Sequence, residues 1–204
     1  MPRKPLTEDE KSIVREKAAV AARRIMDEHG AEKVTIRGIA KEVGMSAMSL
    51  YTYFENKADI VTYLQVQAVE ELTEELSSAA AGANGPETLV ATLGRSYVAF
   101  AEEKTGEFNL AFRTEEHGGK MPPVVRDGLK KALAPLHDAV SATVKEARSP
   151  EEVDRIVAGI WSGWHGYAML KQAGCVVDQT PIFDAKTAVA SFGAARASAE
   201  AAAH

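Results

Sequence analysis

Apolar residues recur at helical spacing along almost the whole chain. The stripe is clearest in a short segment whose apolar positions follow the i, i+3, i+4, i+7 pattern, namely Ile36, Ile39, Ala40 and Val43. No stretch alternates apolar and polar residues convincingly with the two-residue period of a half-buried strand. The pattern therefore predicts an all-α protein of about nine helices.

Residue types that cap helices mark where these elements begin and end. Thr7 and Glu10 have the spacing of a capping box at the start of the first helix, and Gly30 is suited to end it. Ser46 is a good N-cap for a third, short helix that reaches about Tyr53, and Asn56 can cap a much longer fourth helix. Further helices are expected over 86–104, 107–114, 123–147, 150–173 and 181–201.

The first three predicted helices form a small unit that ends where the long fourth helix begins. We expect one domain over residues 1–56 and a helical body over residues 57–204. Within the first domain, two short helices are separated by a turn at Gly44 and follow a longer helix. This spacing is typical of a helix-turn-helix, whose second helix enters the DNA major groove.

The third helix combines anchoring residues with exposed polar ones. If Leu50 and Phe54 point into the small core, the opposite face presents small or hydroxylated side chains that can approach base edges and thymine methyl groups. Tyrosine and lysine side chains beside that face suit phosphate oxygens. The alternative is that these residues are merely solvated. The set consists of Ala47, Met48, Ser49 and Thr52 on the face and Tyr51, Tyr53 and Lys57 beside it.

Charge and composition narrow the possible functions. The chain has 204 residues and a net charge of −5, but residues 1–60 carry +1 and the remainder carries −6. This asymmetry is compatible with a nucleic-acid-facing N-terminal domain on an acidic body. The acidic body and the lack of a basic arm disfavour an architectural DNA binder of the nucleoid type, which remains an alternative.

Several other classes lack their sequence signals. No apolar run is long enough to span a membrane, and no apolar stretch follows the first basic residues, so we expect a cytoplasmic protein. The single Cys175 excludes an internal disulfide and a multi-thiolate metal site. No zinc-protease motif, glycine-rich phosphate loop or nucleophile elbow is present, so we expect no metal, no cofactor and no enzymatic activity.

The run TIRGIAKEVGMSAMSLYTYFENKADI, residues 35–60, closely resembles the N-terminal signature of the TetR/AcrR family. The resemblance implies a homodimer that binds double-stranded operator DNA and responds to a small-molecule effector. The commoner family behaviour is a repressor that the effector releases, and an activator of the same fold is the alternative. The implied DNA-binding residues are Thr35, Arg37, Ser46, Ala47, Met48, Ser49, Tyr51, Thr52, Tyr53 and Lys57.

A second informative segment is GIWSGWHGYAMLKQAG, residues 159–174. On a helix its tryptophans and histidine gather on one side, which suits the wall of a ligand pocket, although such residues are often simply core. Its glycines gather on the other side and indicate close packing against another helix, either across a dimer interface or within the chain. The WHG triplet resembles the motif of a C-terminal domain type found in some TetR-like regulators. The predicted pocket residues are Trp161, Trp164, His165 and Phe112, and the predicted interface residues are Gly159, Gly163, Gly166 and Phe192.

Overall fold

The computed structural model describes residues 7–143 and 149–175. The polypeptide in these ranges is helical and contains no β-strand, which confirms the expected all-α class. Short 3-10 turns occupy Ala31–Lys33 and Glu115–His117. The helices are α1 (Glu8–His29), α2 (Ile36–Glu42), α3 (Ala47–Leu50), α4 (Lys57–Ala81), α5 (Pro86–Glu103), α6 (Thr105–Ala111), α7 (Pro123–Ala132), α8 (Ala134–Thr143) and α9 (Pro150–Gln172).

The predicted capping residues lie at the starts of α1, α3 and α4. In the capping box of α1, the Glu10 amide donates to Thr7 Oγ1 at 3.2 Å and the Thr7 amide donates to Glu10 Oε2 at 2.8 Å. Ser46 Oγ accepts from the Ser49 amide at 3.0 Å before α3, and Asn56 Oδ1 accepts from the Asp59 amide at 3.0 Å before α4. Each bond satisfies an amide that has no partner within its own helix.

Three helix predictions differ from the structure in their bounds. The third helix, expected to reach about Tyr53, ends at Leu50 as α3. The segment expected as one helix over 123–147 is divided into α7 and α8 at Leu133. Pro135 explains the division, because proline lacks an amide hydrogen and its ring clashes with the carbonyl four residues earlier. The helix expected over 107–114 begins and ends earlier, as α6. The helix expected over 181–201 lies outside the described residues.

The chain divides into two compact units. The first comprises residues 1–68 and 110–125, and the second comprises residues 69–109 and 126–204. Helices α4 and α6 therefore contribute residues to both units. The core of the first unit is built around fully buried apolar side chains of α2, α3 and α4, including Ile39, Leu50 and Ile60.

Candidate DNA-binding surface and helical body

Helix α3 is held against the first unit by its apolar side. Leu50 and Phe54 are buried, and burying side chains of this size contributes roughly 1.5 to 3 kcal/mol each. The Phe54 ring meets the Tyr63 ring edge-on, with centroids 5.8 Å apart, and the Arg15 guanidinium lies 5.8 Å from the centroid of the Phe54 ring. These contacts fix which face of α3 is turned to solvent.

The turn between α2 and α3 depends on Gly44. This residue has a φ of 69°, a left-handed conformation that side chains disfavour, and a Cβ there would meet nothing within 4 Å. The next amide, of Met45, donates to the Ala40 carbonyl at 2.8 Å and closes the turn. An ion pair between Arg24 and Glu42 joins α1 to the end of α2. The predicted helix-turn-helix geometry is therefore present.

The outward face of α3 presents two large side chains. Met48 is 78% exposed and Tyr51, just after the helix, is 51% exposed. Ser49 and Thr52 are also exposed but make local bonds: Ser49 Oγ lies 2.9 Å from Ser46 Oγ, and Thr52 Oγ1 donates to the Ser49 carbonyl at 2.7 Å. Met48 and Tyr51 are therefore the least constrained side chains of this face.

The remaining predicted DNA-binding residues occupy varied environments. Arg37 is exposed on α2, Ala47 is partly exposed, and Thr35 is exposed as the N-cap of α2, where its hydroxyl accepts from the Gly38 amide at 3.0 Å. Tyr53 differs from the expected flanking position, since only 8% of it is exposed and its ring belongs to the apolar core. Any contact it makes with DNA must come from the small part that reaches solvent.

Lys57 is the predicted phosphate-binding residue with the most contacts inside the protein. Its Nζ donates to the Ala31 carbonyl at 2.6 Å and lies 3.5 Å from Glu116 Oε1. Glu116 in turn accepts from Arg113 Nε at 2.7 Å, and its side chain is only 9% exposed. The three side chains form an ion network between the start of α4 and the segment that follows α6.

The electrostatics of this network keep Glu116 ionised. Burial alone would raise the pKa of its carboxyl group, but the hydrogen bond from Arg113 and the positive charges of Arg113 and Lys57 outweigh burial and lower the pKa. The same hydrogen bond raises the pKa of Arg113. Near neutral pH, Lys57 therefore faces a full negative charge.

Gln65 anchors the end of α6 to α4. Its Nε2 donates to the Leu110 carbonyl at 3.1 Å and to the Arg113 carbonyl at 2.6 Å, which satisfies carbonyls at and just beyond the last turn of α6. The side chain is fully buried, and its Oε1 has no hydrogen-bond partner within the described ranges. Sequence reasoning missed Gln65, although a polar residue between Val61 and Ala68 on the apolar stripe of α4 was a usable signal.

In the second unit, α9 carries the predicted tryptophan and histidine cluster. Tyr97 of α5 connects two of its members: Trp161 Nε1 donates to the Tyr97 hydroxyl at 3.1 Å, and that hydroxyl lies 2.9 Å from His165 Nδ1. Phe108 of α6 stacks on the His165 ring with a centroid separation of 5.3 Å. Sequence reasoning missed Tyr97 and Phe108, whose own spacing gives no sign of this cluster.

The protonation state of this cluster follows from its burial. Burial lowers the pKa of His165 and raises that of Tyr97, so both side chains are neutral near pH 7. The Tyr97 hydroxyl accepts from Trp161 Nε1, and it can donate to His165 Nδ1 in the imidazole tautomer that carries its proton on Nε2. The three side chains thus form an uncharged, hydrogen-bonded chain.

The other predicted pocket residues are placed differently. Trp164 is fully buried, and its Nε1 is a donor without a hydrogen-bond partner in the described part of the chain. Phe112 belongs to the first compact unit, whereas the other three residues belong to the second. The structure therefore brings Trp161, Trp164 and His165 together within one unit, and Tyr97 and Phe108 complete their surroundings.

The predicted interface glycines lie on α9. Gly159, Gly163 and Gly166 are partly buried, and a Cβ placed on Gly166 would meet nothing within 4 Å. Two large apolar residues near Gly166, Met169 and Leu170, are 46% and 51% exposed. Phe192 lies outside the described residues.

Neither a metal-binding cluster nor a membrane-spanning helix occurs in residues 7–143 and 149–175. These residues contain no group of three or more His, Cys, Asp and Glu side chains that could hold a metal ion. They also include no helix that is long and apolar enough to cross a membrane.

Comparison with known proteins extends the resemblance seen in the N-terminal segment. Residues 19–64 match the family described as bacterial regulatory proteins, tetR family. Residues 90–192, about half of the chain, match the family described as Tetracyclin repressor-like, C-terminal domain. These two matches cover the helix-turn-helix and most of the helical body.

The individual relatives share little sequence identity with this chain, but each aligns with most of its length. The HTH-type transcriptional regulator Rv0681 of Mycobacterium tuberculosis is 23% identical over 166 residues, which cover 81% of this chain and 73% of that protein. A protein of unknown function from Rhodococcus sp. RHA1 is 20% identical with a TM-score of 0.68, and 94% of each chain is covered. The fatty acid degradation regulator FadR from Bacillus halodurans is 17% identical with a TM-score of 0.59, covering 86% of this chain and 90% of that one.

The fold agrees with these matches, since the solved relatives share the helical architecture at low sequence identity. The predicted resemblance to the TetR/AcrR family is therefore confirmed. The chain belongs to the TetR family of transcriptional regulators: it carries a DNA-binding helix-turn-helix at its N-terminus and is not an enzyme.

Proposed function

We propose that the protein is a homodimeric repressor that binds a palindromic operator and is released from it by a small molecule. The orientation of α3 is the observation that supports operator binding. Leu50 is buried in the core and anchors this helix, while Met48 and Tyr51 project into solvent. An exposed helix of this kind, fixed in orientation, is what the major groove accepts.

The residues of this surface sort into two roles. Met48 is well suited to read bases, since an exposed thioether side chain can pack on a thymine methyl group. Ser46 caps α3 and keeps the N-terminal end of the helix in place. The proposed base-reading residues are Arg37, Ala47, Met48, Ser49 and Thr52, and the proposed phosphate-binding residues are Thr35, Tyr51, Tyr53 and Lys57.

The outer face of α9 supports the proposed dimer. Gly166 leaves open space for a neighbouring helix, and Met169 and Leu170 expose apolar surface beside it. A second copy packed on this face would bury that apolar surface and bring two helices close together at the glycine. To occupy successive major grooves, the two recognition helices of the proposed dimer must lie about 34 to 36 Å apart or a multiple of that distance.

The cluster around His165 is the proposed effector site. The unpartnered Nε1 of fully buried Trp164 supports this role, because a buried donor is stabilised when a ligand supplies an acceptor. The rings of Tyr97 and Phe108 lie against His165 and are uncharged near pH 7, which suits an uncharged organic molecule carrying a carbonyl or hydroxyl oxygen. Reciprocal coupling between effector and operator is typically about 1 to 3 kcal/mol.

The proposed function is tested in two steps. Selection from random duplexes with the purified protein should enrich one palindromic sequence that is bound far more tightly than bulk DNA. Transcription in vitro from a promoter carrying that sequence should then fall when the protein is added. A rise in the amount of transcript would indicate an activator instead of a repressor. The absence of any enriched sequence would refute operator recognition.

A further inference from the structure

The contacts of Lys57 point to a competition at the edge of the DNA-binding surface. Its ammonium group donates to the Ala31 carbonyl and faces the Glu116 carboxylate at 3.5 Å. An operator phosphate that binds Lys57 must draw this ammonium away from Glu116 or share it with that carboxylate. Either arrangement is less favourable than binding to an unopposed lysine, because a fixed negative charge also repels the phosphate.

We propose that Glu116 competes with the operator phosphate for Lys57 and thereby lowers the affinity of the protein for DNA. This inference rests on the proposed role of Lys57 as a phosphate contact. Glu116 makes no DNA contact of its own, and it acts by positioning and neutralising the lysine ammonium.

The position of Glu116 is set by the end of α6. Arg113 holds the carboxylate through a 2.7 Å hydrogen bond from Nε, and Gln65 holds the Arg113 carbonyl at 2.6 Å and the Leu110 carbonyl at 3.1 Å. Glu116 therefore follows any displacement of the last turn of α6 relative to α4. A shift of that turn would strengthen or weaken the competition at Lys57.

Helix α6 also has a part in the proposed effector site. Its residue Phe108 stacks on His165 within the second compact unit, while its last residues, Leu110 and Ala111, belong to the first unit. One continuous helix thus carries both the stacking partner of His165 and the anchor of the segment that bears Glu116.

The neighbouring Glu115 provides a matched control. Its carboxylate lies 3.6 Å from Arg113 Nε but its side chain is 67% exposed, and the Lys57 ammonium pairs with Glu116. Replacing either glutamate by glutamine removes one negative charge from the same turn, so the general electrostatic effect on DNA binding should be similar. Only Glu116→Gln should also remove the competitor of Lys57.

The experiment measures affinity for the selected duplex by fluorescence anisotropy, first with all variants at one salt concentration and then over a series of salt concentrations. Glu116→Gln should tighten binding about five-fold, the effect of a partly exposed ion pair, and Glu115→Gln by less than about two-fold. Replacing Lys57 by Met should weaken binding more in the Glu116→Gln background than in the wild-type background. The Glu116→Gln variant should also show a steeper dependence of affinity on salt, since a freed lysine neutralises a phosphate more completely.

The outcomes separate the inference from the proposed function. Equal affinities of the two glutamine variants, or an equal effect of Lys57→Met in both backgrounds, would overturn the competition while leaving operator binding intact. If neither the wild type nor any variant prefers one duplex over bulk DNA, the proposed function itself fails. Thermal melting checks that the variants fold, and Glu116→Asp, which keeps the charge on a shorter side chain, should tighten binding about two-fold if Glu116→Gln does not fold.

Discussion

Gln65 is the buried polar residue whose removal should most affect the first compact unit. Its amide makes two hydrogen bonds to the Leu110 and Arg113 carbonyls, and each is worth about 1 kcal/mol net. In Gln65→Met, the part-buried Arg113 carbonyl loses this donor, which adds about 1 kcal/mol to the loss, whereas the Leu110 carbonyl still accepts from the Arg113 amide at 3.1 Å. The substitution also removes the buried Oε1, which has no hydrogen-bond partner, and this gain offsets about 1 kcal/mol of the lost stability. The expected destabilisation is therefore about 2 kcal/mol.

Urea unfolding followed by circular dichroism measures this change, with all variants at the same protein concentration because the proposed dimerisation would affect the apparent stability. The control is Gln67→Met, two residues further along the same helix. Gln67 donates to Glu16 at 2.7 Å in an exposed hydrogen bond, so its replacement should change the free energy of unfolding by less than about 0.5 kcal/mol. If both variants lose the same stability, or if Gln65→Met is more stable than the wild type, Gln65 is not an anchor of α6.

Three further predictions concern the recognition helix, the dimer and the aromatic cluster. Met48→Ala should reduce the preference for thymine at one operator position while changing binding to bulk DNA little, and a uniform loss over all sequences would contradict base reading. Gly166→Ala should leave the protomer folded, since the added methyl group meets open space, but should shift sedimentation towards the monomer; an unchanged dimer would place the interface elsewhere. The lowered pKa of His165 means that the unfolded state binds more protons below the ordinary value of 6.5, so stability should fall as the pH drops through that value. His165→Gln should flatten this dependence, and an unchanged slope in urea unfolding between pH 8 and pH 5 would show that other groups cause it.

The helix-turn-helix could be predicted because its determinants are local. The turn needs Gly44, the caps at Thr7, Ser46 and Asn56 act within three residues, and the apolar anchors recur at helical spacing. The exposure of Met48 also follows from this spacing. Each of these features is determined by residues that lie a few positions apart, so the sequence alone predicts it.

The features that the sequence did not reveal depend on distant residues. Tyr97 and His165 are separated by 68 positions, and Gln65 and Leu110 by 45, so no local pattern indicates that they meet. The burial of Tyr53 is a tertiary effect, since the core of the first unit takes up a ring that local spacing had placed beside the exposed face. The division of α7 from α8, in contrast, could have been predicted from a local residue. Pro135 indicates a break in the helix, but the apolar periodicity continues across it and indicates a single helix.

The most direct test of the central claim is the sequence preference of the purified protein, measured by selection from random duplexes and then by competition with bulk DNA. We expect one palindrome, which a dimer of the protein binds and prefers over bulk DNA by at least about 10³-fold. Its half-sites should have centres about one helical turn, or a multiple of one turn, apart. Binding that shows no enriched sequence and depends only on salt would contradict recognition by α3.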